Sequence, residues 1–121
     1  MTKENRGLLS KDLCGRLYYG IKGLHRGQVH FLKTMDWGYD RVSIKVDGYD
    51  AWFPVDSFKP YLRLMSSMTE EERKIYMEIG SHLCGEIVAK TMIDWLNAHH
   101  FDYRGLIEKG LAIEAPEGMY K

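Results

Sequence analysis

The chain has 121 residues, no net formal charge and 45% hydrophobic residues, a composition that builds a core and is too apolar for a disordered chain. Charge is unevenly spread: residues 1–63 carry 11 Lys and Arg against 7 Asp and Glu, and residues 64–121 carry 6 against 10. This split excludes a polyanion-coating protein, whose affinity needs a large basic excess, and leaves weak nucleic-acid binding by the basic half as the alternative function.

Leu9, Leu13 and Leu17 recur at four-residue spacing with Lys11, Asp12 and Arg16 between them, one apolar stripe on an N-terminal helix that stops near Gly20. Residues 1–18 are assigned to it. Ile21 to Leu24 can form a first strand, and a second runs from about Gln28 to Met35. Val42, Ile44 and Val46 then alternate with Arg41, Ser43 and Lys45, the period of a half-buried strand. Asp47-Gly48 follows, a two-residue hairpin signal because both turn positions need positive φ. That turn pairs Val46 with Tyr49, Ile44 with Ala51 and Val42 with Phe53, which places the alternating apolar set on one face. Alternation and turn register are independent signals that agree.

Centring the preceding connection on Asp36-Trp37-Gly38-Tyr39 sets Phe31 opposite Ile44 and Val29 opposite Val46. The expected interior therefore includes Val29, Phe31, Val42, Ile44, Val46, Tyr49, Ala51 and Phe53, with Val55 as a further candidate. Asp56-Ser57-Phe58 makes a tight turn into a last strand, Pro60 to Arg63, with its proline at an edge. This layout over residues 19–63 resembles a small SH3-like β-barrel, with an open curled antiparallel sheet as the alternative. Either buries too little surface alone, so the flanking helices complete the core.

Thr69 and Glu72 form a capping box that opens a helical segment over residues 64–115. Ile75, Ile79 and Leu83 make one stripe, interrupted by Gly80-Ser81. Val88, Met92, Trp95, Leu96 and His99 make a stronger second. Asp102 caps a last short helix holding Leu106 and Ile107 and ending at Gly110. Residues 116–121 read as a frayed tail. The expected fold class is α+β in one integrated unit: N-terminal helix, barrel or curled sheet, C-terminal helices packed on it.

Candidate sites are few. His99 and His100 are adjacent and point about 100° apart on a helix, unlike the three- or four-residue spacing of paired metal ligands, and His82-x-Cys84 has the same defect. Cys14 and Cys84 write neither a disulfide framework nor a zinc knuckle, though a single disulfide stays open. Cys14, Ser43 and Asp94 lack a nucleophile turn or phosphate-cradling loop around them. No metal, no cofactor and no enzymatic activity are expected. The outward face of the meander aligns Leu32, Ser43 and Trp52 in one row and His30, Lys45 and Asp50 in the next, with Lys45 and Asp50 as an ion pair. Helices are expected to cover the Leu32–Trp52 row; the other reading has Trp52, with Arg41 and Lys45 beside it, gripping a peptide or stacking a base. Loop aromatics Trp37 and Tyr39, with Tyr18 and Tyr19 before the first strand, form a second aromatic set. The binding candidates are accordingly Tyr18, Tyr19, Trp37, Tyr39, Arg41 and Trp52.

Three segments together resemble one family: Leu8 to Cys14 with Tyr19-Gly20-Ile21-Lys22; Lys59 to Arg63 with Met65 to Glu72; and Trp95 to Lys109 running on to Ala115–Tyr120. They are similar to small uncharacterised proteins of gut-bacterial genomes, their prophages and mobile elements, in which proline often stands where this chain has Tyr18. The resemblance implies a mobile-element accessory protein. Met1 to Arg6 is polar with no signal-peptide core and no apolar run reaches membrane-span length, so the expectation is a cytoplasmic, non-catalytic module for a protein partner, without membrane contact.

Overall fold

Thr2 begins the first helix by accepting the Asn5 N–H on its hydroxyl, and Glu4 sits in the first turn, where the helix dipole favours an acid. The computed structural model describes residues 1–82 and 86–120. Expectations that fall on Leu83, on His82-x-Cys84 and on the Trp37 side chain lie outside the described residues. Helix α1 spans Lys3–Arg16 and passes through a 3-10 turn at Leu17–Tyr19 into Gly20. Leu9 and Leu13 are fully buried, as their spacing predicts, but so are Asp12 and Arg16, which that reading put on the polar side. They pair with each other, and their further partners, Arg104 and Phe101 O, lie far along the chain.

Strands β1 (Lys22–His25) and β2 (Gln28–Phe31) pair antiparallel. A second sheet contains β3 (Thr34–Asp36), β4 (Arg41–Val46) and β5 (Tyr49–Pro54) in that order. In the β4–β5 hairpin the three expected pairs form, with Asp47 and Gly48 both at positive φ. The register before it is corrected: Met35, not Lys33, faces Val42, because Trp37–Tyr39 makes a 3-10 turn and Asp40 completes a four-residue loop.

The expected interior is also corrected. Tyr49, at the hairpin turn, is 79% exposed, and Val29 and Phe31 are 50% and 60% exposed, while Leu32 is buried. The segment is not one strand: Leu32 donates its N–H to Ile21 O, and Lys33 donates to Ser43 O. It changes partner strand at that point, and the side-chain alternation changes phase with it.

After a 3-10 turn at Val55–Ser57, β6 (Lys59–Leu64) returns to β1 antiparallel and takes two short parallel neighbours, β7 (Phe101–Asp102) and β8 (Ile113–Glu114). Pro60 is therefore buried within the hub of a five-stranded sheet and not at an edge. Among the described residues no ladder closes the two sheets into a barrel. One core joins Leu9 and Leu13 of α1 to Ile21, Val42, Ile44, Phe58 and Leu62 of the sheets and Leu106 beyond them.

Helix α2 spans Glu70–His82 and α3 spans Glu86–Ala98. The Thr69–Glu72 capping box forms in both directions, and α2 runs through Gly80-Ser81. Ile75 is exposed, so the first stripe is not a core face; α2 meets α3 through Tyr76 against Trp95. The last predicted helix is only a turn. Asp102 accepts the N–H groups of Leu106 and Ile107, and Gly110 at positive φ closes it with a 6→1 bond from Leu111 to Leu106. The expected frayed tail is instead docked at Tyr120, whose hydroxyl lies between Lys22 and Tyr61. The architecture is α+β. No helix among the described residues is long and apolar enough to cross a membrane.

Candidate functional site

The outer face of β3–β5 carries an exposed aromatic–cation stack. Arg41 opens β4, Trp52 lies on β5 opposite Ser43, and Tyr39 ends the 3-10 turn just before. The Arg41 guanidinium lies 5.1 Å from the Tyr39 ring centre and 5.7 Å from that of Trp52, and donates to Asp36 Oδ2 at 2.8 Å. Trp52 is 47% and Tyr39 75% exposed, and Ser43 is buried beneath. The expected Leu32–Ser43–Trp52 row does not exist. Leu32 has turned into the core, Thr34 takes its place opposite Ser43, and among the described residues no helix covers Trp52. The second row is also corrected. His30 pairs with Gly23 in the other sheet, and Asp50 accepts from Lys33 at 2.6 Å in place of Lys45. Tyr18, 91% exposed, and Tyr19 stand in the turn before β1; no ring contact among the described residues joins them to the stack.

A second concave site lies between the α2 N-terminus, the α3 C-terminus and the chain end. Its volume is about 620 Å³, and Arg63, Glu72, His99, Glu114, Glu117 and Tyr120 are among its walls. Arg63 donates twice to Glu72, at 2.8 and 2.7 Å, and stacks on Phe101 at 4.2 Å. The Arg63 hydrogen bond, with the Thr69 N–H behind it, holds Glu72 down at about 2. Guanidinium and carboxylate saturate one another, so neither is free for a ligand. His99 Nδ1 is 3.7 Å from Glu72, beyond hydrogen-bond range, and its ring lies on Trp95. Ser67 donates to Leu64 O and the Thr69 hydroxyl accepts the Glu72 N–H, so the nearby hydroxyls serve as turn and cap. His100, buried and at positive φ, stacks on Tyr120 with ring centres 3.6 Å apart; burial and the neighbouring cations push it down to about 4. Among the described residues no three His, Cys, Asp or Glu side chains gather to hold a metal.

A buried ion network joins α1 to the C-terminal segment. Asp12 pairs with Arg16 at 2.7 Å and Arg104 at 3.0 Å, and Arg16 also donates to Phe101 O. It bolts α1 to β7 and the turn that follows. No protein-family model, curated protein or solved structure matches the chain. The site is therefore read from its own residues. Sequence reasoning set Arg41 beside Trp52 but left Tyr39 in a separate aromatic set, since the four-residue loop that brings Tyr39 onto Arg41 was not read. It missed Arg63–Glu72 although the capping box marked Glu72, and nothing local marked Tyr120.

Proposed function

We propose that the chain is a cytoplasmic, non-catalytic protein-interaction module of mobile-element type, engaging a protein partner through the outer face of β3–β5. The observation that carries this reading is the Tyr39–Arg41–Trp52 stack. Arginine and large aromatics dominate binding hot spots, and here they are exposed together and held in place by Asp36 and the β4–β5 ladder. The proposal extends to the fold. Strands β1 to β5, a one-turn 3-10 break and β6 returning to β1 follow an SH3-like layout, with the bend at Leu32–Lys33 dividing one strand between two sheets.

The test compares wild type with Arg41→Ala and Trp52→Ala in quantitative affinity capture from a bacterial lysate, alongside melting curves. The expected result is a protein retained by wild type and lost from both variants at unchanged stability. Identical capture by all three would overturn the proposal. So would submicromolar binding of single-stranded oligonucleotides that weakens steeply with salt, which is the mark of a nucleic-acid binder.

A further inference from the structure

Trp52 of the stack lies on the strand that has, among the described residues, the longest unpaired edge. In the sheet order β3-β4-β5, β5 has a neighbour on one side only, and it is six residues long. Edge strand β2 has four residues, β3 three, and β7 and β8 two each. The two-residue turn makes Val46 and Tyr49 a mutually hydrogen-bonded pair, so Tyr49, Ala51 and Phe53 turn their main-chain groups to β4. Asp50 and Trp52 turn theirs outward. Two bonds agree with this phase: Ser43, opposite Trp52, gives its carbonyl to Lys33 on the far side, and Val55 donates to Asp40 O. Among the described residues, no main-chain partner meets Asp50 or Trp52 on that edge.

Natural edges of this length are usually blunted by lysine, an inner proline, a bulge or a cover. Tyr-Asp-Ala-Trp-Phe-Pro carries no lysine, and its proline comes last. Two exposed cations flank the edge: Lys45 on the strand behind it, and Arg26, whose guanidinium lies 5.2 Å from the Phe53 ring. Among the described residues neither has a carboxylate partner, because Asp50 is taken by Lys33.

Resting on the interaction-module reading, we propose that β5 receives an extended, acidic segment of a partner protein as an added strand. Its main chain bonds Asp50 and Trp52. Its carboxylates meet Lys45 and Arg26, and a side chain on the outer face packs against Trp52 and Arg41.

Lys45 stands on the outer face with Trp52, whereas Arg26 lies on Phe53 of the inner face. The test therefore titrates the full chain with a short capped peptide repeating valine-glutamate-glutamate, which puts carboxylates on both faces and valine on each, its valine-lysine-lysine counterpart, and a proline-interrupted glutamate version, followed by amide NMR and hydrogen exchange. The glutamate peptide should slow exchange at Asp50 and Trp52 by about tenfold or more, leave Tyr49, Ala51 and Phe53 unchanged, and exceed both other peptides in affinity. Asp50→Pro, which removes an outward N–H and no β4 bond, should weaken it about tenfold; Lys45→Glu, which leaves the backbone untouched, should do so even if the proline variant fails to fold. Peptide binding that shifts only the Trp52 indole, with no slowing at these two amides, would overturn strand addition and leave the interaction module standing. Preference for the lysine peptide would overturn the acidic partner. Protection that grows with protein concentration alone would assign the edge to a second copy and overturn the proposal. If no peptide binds and Trp52→Ala captures the same proteins as wild type, both readings fall.

Discussion

Replacing Tyr120 by Phe removes one oxygen and leaves the ring on His100. That hydroxyl lies 3.0 Å from the Lys22 N–H, 2.7 Å from Tyr61 O and 3.2 Å from Lys22 O. A phenol has a single proton, so the short contact to Tyr61 O is the donated bond and the Lys22 N–H fills a lone pair. Burial pushes the hydroxyl up to about 12, so it remains a donor at neutral pH. The β1–β6 ladder pairs Leu24 with Lys59 and Gly23 with Pro60. The next pair would be Lys22 and Tyr61, and the hydroxyl stands between them. In Tyr120→Phe both main-chain groups lose their partner. An unsatisfied buried group costs about 1–3 kcal/mol, and partial water access places the sum near the lower end, about 2 kcal/mol. For a chain of this size that lowers Tm by about 8 °C.

Urea denaturation followed by circular dichroism, with thermal melts, measures this directly. Ending the chain before Pro116 also removes the His100 stack and should cost more. A loss below about 0.5 kcal/mol in Tyr120→Phe would refute the bridging role, and a silent truncation would return the segment to a frayed tail.

Asp12→Ala leaves Arg16 fully buried without its carboxylate and should cost about 3–5 kcal/mol in denaturant titration. Gly23→Ala would drive a methyl into the ring of Phe58, which is fully buried; the expected loss is about 1–3 kcal/mol, partly recovered by Phe58→Leu in the same chain. Stability should also fall in acid, in two windows. His100 is held at about 4, below its ordinary 6.5, so between these values the unfolded chain binds the extra proton. Its contribution, on the order of 3 kcal/mol, is complete above pH 6.5 and disappears as pH falls toward 4. Glu72, held at about 2 against 4.5, contributes above pH 4.5 and loses that contribution as pH falls further. Urea midpoints of wild type and His100→Asn from pH 7 to 4 check the first window, and the variant should show the flatter slope.

What could be read from the sequence divides by distance along the chain. The β4–β5 hairpin was legible because its register is set within two residues at Asp47-Gly48, and the Thr69–Glu72 box and the Gly110 cap are equally local. Asp12 and Arg16 read as surface charges because an i,i+4 pair forms as readily in solvent, and the groups that complete their network, Arg104 and Phe101 O, come more than 80 residues later. Tyr120 read as tail for the same reason, since its partners are Lys22 and Tyr61.

The most consequential miss, at Leu32–Lys33, involves only a few residues. Period-2 alternation assumes one continuous strand, yet here adjacent N–H groups turn to different sheets. The phase change moves Leu32 from the outer face into the core and leaves Val29 and Phe31 outside. Had the strand run straight, Leu32 beside Trp52 would make an apolar row that needs a helical lid. With Leu32 withdrawn and Thr34 in its place, Trp52 has Arg41 over its ring, lies opposite Ser43 and stays about half exposed. The same bend thus supplies a side chain to the core and frees the face and edge of β5. Insertion of one residue between Leu32 and Lys33 should destabilise the core and disturb the Trp52 environment together. Loss of one without the other, in denaturation and indole fluorescence, would show that the two are not linked through the bend.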